Sequence, residues 1–179
     1  MKKYLKGFAN LCIFEVISNT VKAYACGTDR TELVGAKSCS PTDNKTEFTI
    51  RADDTVYDSG SDWTDTTLVI TVLEAELATL GNLLGAEFDT TLQEGVFDEP
   101  NEVALTFSAL RRDGGYRLYR YFSCKLTNYK VSHTTKGDNN DAQSYELTFK
   151  ASPRAIDGLI RETKDIDKCT PLTWITSME

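Results

Sequence analysis

The sequence of 179 residues carries a formal net charge of −7 and is 40% hydrophobic and 10% aromatic. This hydrophobic content excludes a disordered chain, and the length predicts one domain over residues 1–179 with a sizeable core. The negative charge excludes a protein that holds nucleic acid by its phosphates, since that contact needs a cationic face.

The N-terminal segment opens basic, turns apolar and reaches Ala23-Tyr24-Ala25-Cys26, which is similar to a lipoprotein or signal-peptide cleavage site. Its longest uninterrupted apolar run, Leu11 to Phe14, is shorter than the roughly seven residues that a signal peptide needs. The pattern instead favours two strands, "NLCIFEVIS" and "TVKAYAC", around a turn at Ser18-Asn19. No apolar run reaches the length of a membrane span.

The acidic stretch "RADDTVYDSGSDWTD", residues 51–65, holds five aspartates and two aromatic residues. It lacks the order of an EF-hand loop, as does the acidic segment "DNNDAQSYE", residues 138–146. The adjacent Asp53 and Asp54 would point to opposite faces of a strand, so they do not form an acid/base couple. Neither acidic segment therefore predicts a metal site or a catalytic pair.

Alternation of apolar and polar residues predicts eight or more strands. The segments "EVALTFSAL" and "QSYELTFKA" read as half-buried strands, and "TTLVITVL" as a central strand covered on both faces. The segment "RRDGGYR" predicts a hairpin turn before the long strand "YRLYRYFSCKLTNYKVS". The core is expected to span about residues 6–154, and the pattern assigns no element to the C-terminal extension, residues 155–179.

One helix is predicted in "LEAELATLGNLLG", where four leucines form a stripe with helical spacing. Glu74 and Glu76 lie near its predicted N-terminus, and Gly85 suits its C-terminal cap. The stripe should dock the helix on a sheet. The predicted fold is therefore mostly β, a sandwich or barrel-like arrangement of two packed antiparallel sheets with one flanking helix. The leucines of the stripe are Leu73, Leu77, Leu80 and Leu84.

Groups for enzyme chemistry are sparse in this sequence. His133 is the single histidine and lies in a polar segment, where a surface position is expected. The five cysteines have no zinc-ligand spacing and indicate reduced thiols, several of them in the core. We predict no enzyme activity, no metal and no cofactor. The cysteines are Cys12, Cys26, Cys39, Cys124 and Cys169.

In order and spacing, these segments resemble the major tail protein (tail tube) family of long-tailed, non-contractile bacteriophages. The resemblance covers about Lys6 to Arg154. Its sharpest motifs are Ala52-Asp53-Asp54 before the strand-helix unit and Thr135-Lys136-Gly137-Asp138 before a terminal strand. Each motif is short, and their succession along the chain carries the resemblance.

The resemblance implies a β-sandwich subunit whose hexameric rings stack head to tail into a hollow tube. Such a tube lies in the virion tail, is assembled in the bacterial host cytoplasm, and passes DNA without sequence-specific binding. The implied partners are further copies of this chain, the tape measure protein, the tail terminator and the distal tail proteins, with no membrane. Self-association suits the uneven charge, with 8 basic to 17 acidic residues up to Pro100 and 12 to 10 thereafter.

In this family a long loop near the acidic stretch reaches toward neighbouring subunits. The resemblance therefore implies an assembly surface in residues 51–65, with aromatic anchors and with aspartates that pair with basic groups of the second half of the chain. A solvated acidic loop is the alternative. The residues assigned to this surface are Asp53, Asp54, Tyr57, Asp58, Asp62, Trp63 and Asp65.

Two other functions stay open at this point. An inner-tube protein of a contractile or secretion-type injection machine would share the fold and differ in its partners. An exported β-sandwich binding module belongs to a different class, and cleavage or lipidation at Cys26 would reveal it.

Overall fold

A computed structural model describes residues 4–131, 133, 143–167 and 173–176. The motif at residues 135–138, most of the acidic segment at 138–146, and Cys169 lie outside these ranges. The described chain forms ten strands and two helices. The strands are β1 (Leu5–Asn19), β2 (Tyr24–Glu32), β3 (Ala36–Ala52), β4 (Thr55–Val72), β5 (Glu87–Phe88), β6 (Leu92–Gln93), β7 (Val103–Arg111), β8 (Tyr116–Val131), β9 (Tyr145–Ser152) and β10 (Arg161–Ile166), and the helices are α1 (Leu77–Leu84) and α2 (Thr173–Thr176).

Eight of the strands form one antiparallel sheet. Seven of them lie in the order β2-β1-β7-β8-β9-β4-β3, and the eighth, β10, lies beside β8. Strand β10 pairs with the first part of β8, and β9 pairs with its second part on the same side. Strands β5 and β6 form a separate two-stranded sheet beside α1. Strands β2 and β3 therefore lie at the two ends of the main sheet, and β10 also pairs with a single neighbour.

The main sheet curls across one hydrophobic core, which brings β1 close to β3. Leu33 between β2 and β3 donates its backbone N–H to the carbonyl of Leu11 at 3.0 Å. The core contains fully buried side chains from both sides of this curl. They are Leu68 and Phe149 on one side and Leu105 and Tyr121 on the other. The predicted fold class, mostly β and sandwich-like with one flanking helix, is confirmed.

The helix α1 is shorter than the leucine stripe predicted, because it begins at Leu77 and the N-cap residue Glu76 has an extended backbone. Leu80 and Leu83 are buried, whereas Leu77 is 51% exposed and Leu73 precedes the helix and is exposed. The prediction that Leu73 and Leu77 belong to the buried stripe of the helix is therefore wrong. Neither predicted glutamate lies inside the first turn.

The C-terminal cap of α1 is confirmed. Gly85 has a positive φ of 67° and donates its N–H to the carbonyl of Asn82 at 3.3 Å. A Cβ atom here would lie 2.0 Å from the carbonyl oxygen of Glu99, so the position admits only glycine. The cap fixes the direction in which the chain leaves the helix.

Two strand predictions need correction. Strand β7 is buried on both faces rather than half-buried: on the face opposite the core, Ala104 packs in a second cluster with Cys12 and Phe14 of the adjacent strand β1. Strand β4 was expected to be covered on both faces, but only one face is buried. Ile70 is fully buried, whereas Val69 on the other face is half-buried. The expected alternation in β9 is confirmed.

Of the two turns predicted from the sequence, one lies elsewhere and one is confirmed. The predicted turn at Ser18-Asn19 lies instead at residues 20–23, where Thr20 and Ala23 exchange backbone hydrogen bonds of 2.9 and 3.3 Å. The hairpin turn in "RRDGGYR" is confirmed, with Arg111 N–H donating to the Gly115 carbonyl at 2.8 Å.

The C-terminal extension, which the sequence left unassigned, contributes β10 to the sheet and α2 to its outer face. Trp174 of α2 stacks on Arg120, with 4.0 Å between the guanidinium carbon and the ring centroid. The same arginine donates a hydrogen bond to the carbonyl of Trp174 at 2.9 Å. This contact helps to cover the second face of the sheet.

Candidate assembly surface

The acidic stretch lies in a long β-hairpin rather than in a loop. Strand β4 pairs with β9 only from Thr66 onward, whereas β3 and β4 pair with each other as far as Ala52 and Thr55. Residues 44–65 therefore extend beyond the main sheet as a two-stranded ribbon, which we call the arm. The prediction of a loop is wrong here. Both faces of a two-stranded ribbon are exposed, so its sequence lacks the alternation of apolar and polar residues by which a strand is predicted.

The arm is exposed along its length. Every residue from 44 to 64 is exposed. A residue in an antiparallel strand advances the chain by about 3.4 Å, so the stretch from Asn44 to Ala52 spans roughly 30 Å. An isolated two-stranded hairpin is only marginally stable in water, so the arm would gain stability from a partner.

The tip of the arm is a two-residue turn formed by Asp53 and Asp54. Their φ angles are 50° and 60°, which is the left-handed combination that matches the twist of a hairpin. The hydroxyl of Thr55 donates a hydrogen bond to the carbonyl of Ala52 at 3.0 Å and closes the turn. Two carboxylates are thereby presented at the point farthest from the sheet.

One face of the arm is partly apolar. Phe48 pairs with Gly60 and Ile50 pairs with Asp58, and directly paired residues share a face. The ring of Phe48 lies over Gly60, where a Cβ atom would come within 2.8 Å of its Cζ. Apolar side chains at the centre with carboxylates beside them form a surface that can combine burial with charge pairing.

The base of the arm is fixed by its own chain. Arg161 forms a two-point ion pair with Asp43, with both nitrogen–oxygen distances at 3.0 Å. The same guanidinium lies 4.8 Å from the centroid of the Trp63 ring. The indole N–H of Trp63 donates to the Asp65 carbonyl and to the Thr66 hydroxyl, each at 3.1 Å. The arm therefore leaves the sheet at a defined angle.

Asp65 completes this base. Its carboxylate accepts a hydrogen bond from the Asn44 amide at 2.6 Å and pairs with Lys150 at 3.2 Å. The bond from Asn44, followed by the contact with Lys150, lowers the pKa of Asp65 below its ordinary value. The charged carboxylate is thus the form that holds the arm to β9.

The seven predicted residues fall into two groups. Asp53, Asp54, Tyr57, Asp58 and Asp62 lie along the free part of the arm, and Tyr57 is 78% exposed. Trp63 and Asp65 lie at the base and contact Arg161 and Lys150 of the same chain.

The pairing of aspartates with basic groups of the second half thus occurs within one subunit at the base. The pairing predicted between subunits concerns the free part of the arm and stays a prediction. Sequence reasoning missed the outward position of Phe48, Ile50 and Val56, because a strand read by itself does not show whether a third strand lies beside it.

The metal ligands, the histidine and the cysteines considered in the sequence form no second candidate site in the described part of the chain. No group of three or more histidine, cysteine or acidic residues there could hold a metal ion. His133 is exposed, as predicted. Burial raises the pKa of the Cys12, Cys26 and Cys39 thiols, which favours their protonated form near neutral pH.

The segment around Cys26 is part of the fold. Cys26 lies in β2 and donates a hydrogen bond to the Tyr24 hydroxyl, which in turn donates to the Phe122 carbonyl at 2.5 Å. Removing the residues before Cys26 would take away β1, whose Leu11 and Phe14 are buried. This weighs against an exported form that begins at Cys26.

Comparison with known proteins adds no assignment. No family model matches the chain, and no curated protein matches it. Among the residues that the structure describes, no helix is long and apolar enough to cross a membrane.

Proposed function

We propose that this protein is a structural subunit that polymerises as stacked hexameric rings into a phage tail tube, the conduit for DNA ejection. The observation that carries the proposal is the arm, a ribbon of roughly 30 Å that is anchored at its base and exposed beyond it. The form of the assembly, a tube of stacked rings, comes from the resemblance of the chain to the tail tube family.

The edges of the main sheet support an association between subunits. The edge strands β2 and β3 carry backbone groups that a neighbouring copy can pair or cover. A contact between different surfaces of identical subunits closes into a ring or extends without limit, and a tube of stacked rings uses both outcomes. Hexameric symmetry rests on the family resemblance alone.

The charge of the arm supports a contact with a basic surface. Residues 44–65 contain six acidic and two basic residues, and the tip and one face concentrate the carboxylates. The second half of the chain carries the excess of basic residues, so the arm of one copy meets favourable charge on the body of another. Contacts with a tape measure protein, a tail terminator and distal tail proteins follow from the same resemblance.

The test is electron microscopy of the purified full chain at high concentration, with end-on class averages. The proposal expects six subunits around an open lumen. A stable monomer at high concentration, or closed dimers, would overturn it.

The role of the arm is tested by charge reversal at Asp58→Lys with Asp62→Lys, and at Asp53→Lys with Asp54→Lys. Both double variants should fold normally and form few or no tubes. The matched control is Glu87→Lys with Asp89→Lys, which makes the same charge change at exposed positions outside the arm. Normal tube yield from both arm variants would show that the aspartates are only solvated.

A further inference from the structure

The turn between β6 and β7 presents two large apolar side chains to solvent. Val96 is 92% exposed and Phe97 is 93% exposed, the highest exposures among the large hydrophobic residues of the described chain. They are adjacent in sequence, and neither belongs to the arm. Such a pair, which we call the knob, is costly to keep in water and is typical of a contact with another molecule.

The knob is held in place by a tight turn. The backbone N–H of Gly95 donates to the Asp98 carboxylate at 2.7 Å, and the N–H of Asp98 donates to the Gly95 carbonyl at 3.4 Å. The two bonds close the turn around Val96 and Phe97 from both sides. The two side chains are therefore presented at the apex of an ordered turn.

Both ends of the loop are also fixed. On one side the hydroxyl of Tyr129 donates to the Glu94 carboxylate at 2.5 Å. On the other side the amide of Asn101 donates to the backbone carbonyl of Asn82 at 2.6 Å. A loop that is ordered before binding loses little conformational entropy when it docks.

A cavity of about 440 Å³ opens beside this loop. Its wall is mainly apolar and includes Leu77, which is half exposed although it belongs to α1. A cavity of about 150 Å³ already holds a benzene ring, so this one has room for the Phe97 ring together with Val96. The apolar side chains of the wall are Leu77, Leu80, Leu92, Tyr129, Val131 and Tyr145.

The knob does not fill the cavity of its own chain. Glu94 lies in the wall of the cavity, and the turn that follows it directs Val96 and Phe97 into solvent. One chain thus carries an exposed apolar anchor and an open apolar cavity on neighbouring surfaces. We propose that the knob of one copy, Val96 and Phe97, inserts into the Leu77-lined cavity of a second copy of this chain.

This inference rests on the proposed function, since it names a contact by which the subunits associate. The surfaces on the two copies differ, so each copy can give a knob to one neighbour and receive one from another. The contact uses burial of apolar side chains, whereas the arm offers mainly charge.

The test compares the full-length chain with two variants by sedimentation velocity over a range of concentrations. Val96→Asp with Phe97→Asp removes the knob, and Leu77→Arg blocks the cavity. Each variant should weaken self-association at least about 30-fold, which is the loss expected for a central anchor of an interface. Ile17→Asp with Val21→Asp is the matched control for the knob variant, since it places the same two charges on other exposed apolar residues and should associate like the unmodified chain.

Mixing the two variants gives the decisive result. One variant keeps its cavity and the other keeps its knob, so an equimolar mixture should form one-to-one pairs that neither variant forms alone. No recovery on mixing, or unchanged association of the knob variant, would overturn the inference. A Leu77→Arg chain that melts at a lower temperature and still associates normally would also overturn it, because the cavity would then be filled from within its own chain.

The outcomes separate this contact from the tube. If the unmodified chain forms tubes and the knob variant forms them equally well, the knob contact is wrong and the tube proposal stands. If the unmodified chain forms only small oligomers that the knob variant loses, the contact stands and the tube proposal fails.

Discussion

The two halves of β4 have opposite environments although they belong to one strand. From Thr66 to Val72 the strand lies between β3 and β9, and Leu68, Ile70 and Val72 are completely buried. From Thr55 to Thr64 the same strand pairs only with β3, and every side chain is exposed. The boundary coincides with the point where pairing with β9 ends.

This difference shows that a third strand, more than local composition, decides whether a hairpin segment is core or arm. Both halves contain β-branched and apolar residues that favour strands. Only the half beside β9 has the core behind it. The arm therefore has strand structure with little tertiary stabilisation, which is the condition under which a second copy contributes most.

The largest effect is expected from a pair of isoleucines, one in each environment. Ile70→Ala should lower the free energy of unfolding by about 2–5 kcal/mol, because it leaves a cavity in a fully buried site. Ile50→Ala in the arm should change it by less than about 0.5 kcal/mol in the monomer. Denaturant titration of both variants measures the contrast, and equal losses would show that the arm packs on the body.

The leucines of α1 give a second contrast, and it corrects the expectation from the leucine stripe. Leu80→Ala should cost about 2–3 kcal/mol, since the side chain is buried against the sheet. Leu77→Ala should cost less than about 1 kcal/mol in the monomer, because that side chain is half exposed. Thermal unfolding of the two variants at low concentration decides between them.

A smaller effect is expected at the base of the arm. Arg161→Lys keeps the charge but loses the two-point bond to Asp43 and the stacking on Trp63, at a cost of about 1–2 kcal/mol. Hydrogen exchange should become faster in the arm and stay unchanged in β7. A uniform increase across the sheet would mean that the arm and the core open together.

The smallest effect concerns pH. Because the folded pKa of Asp65 lies below the ordinary value, its contribution to stability is present above the unfolded pKa of about 3.9 and is lost as the pH falls through the folded value. Protection of the amides at the base of the arm, measured as exchange relative to the intrinsic rate at each pH, should therefore decrease below about pH 4. Asp65→Asn should remove most of this dependence, and an unchanged profile would assign it to another carboxylate.

The sequence by itself determined the strand-rich class, the Asp113-Gly114-Gly115 turn and the cap at Gly85. These features depend on side-chain alternation and on backbone angles that few residues tolerate, so they are encoded within a few neighbouring positions. The exposed histidine and the free cysteines of the described chain, two of them buried, were also foreseeable from polar and apolar neighbours respectively.

Only the tertiary structure decided which of the strand-like and helical residues are buried. Sequence periodicity places Leu77 with Leu80 on one helix face, yet Leu77 is exposed, and Ile50 and Ile70 both lie in strand-like segments, yet only Ile70 is buried. Burial depends on whether a distant segment lies alongside, such as β9 beside β4, and that pairing joins residues far apart in the chain. The arm and the knob are both defined by the absence of such a neighbour in the described chain, and no local pattern encodes that.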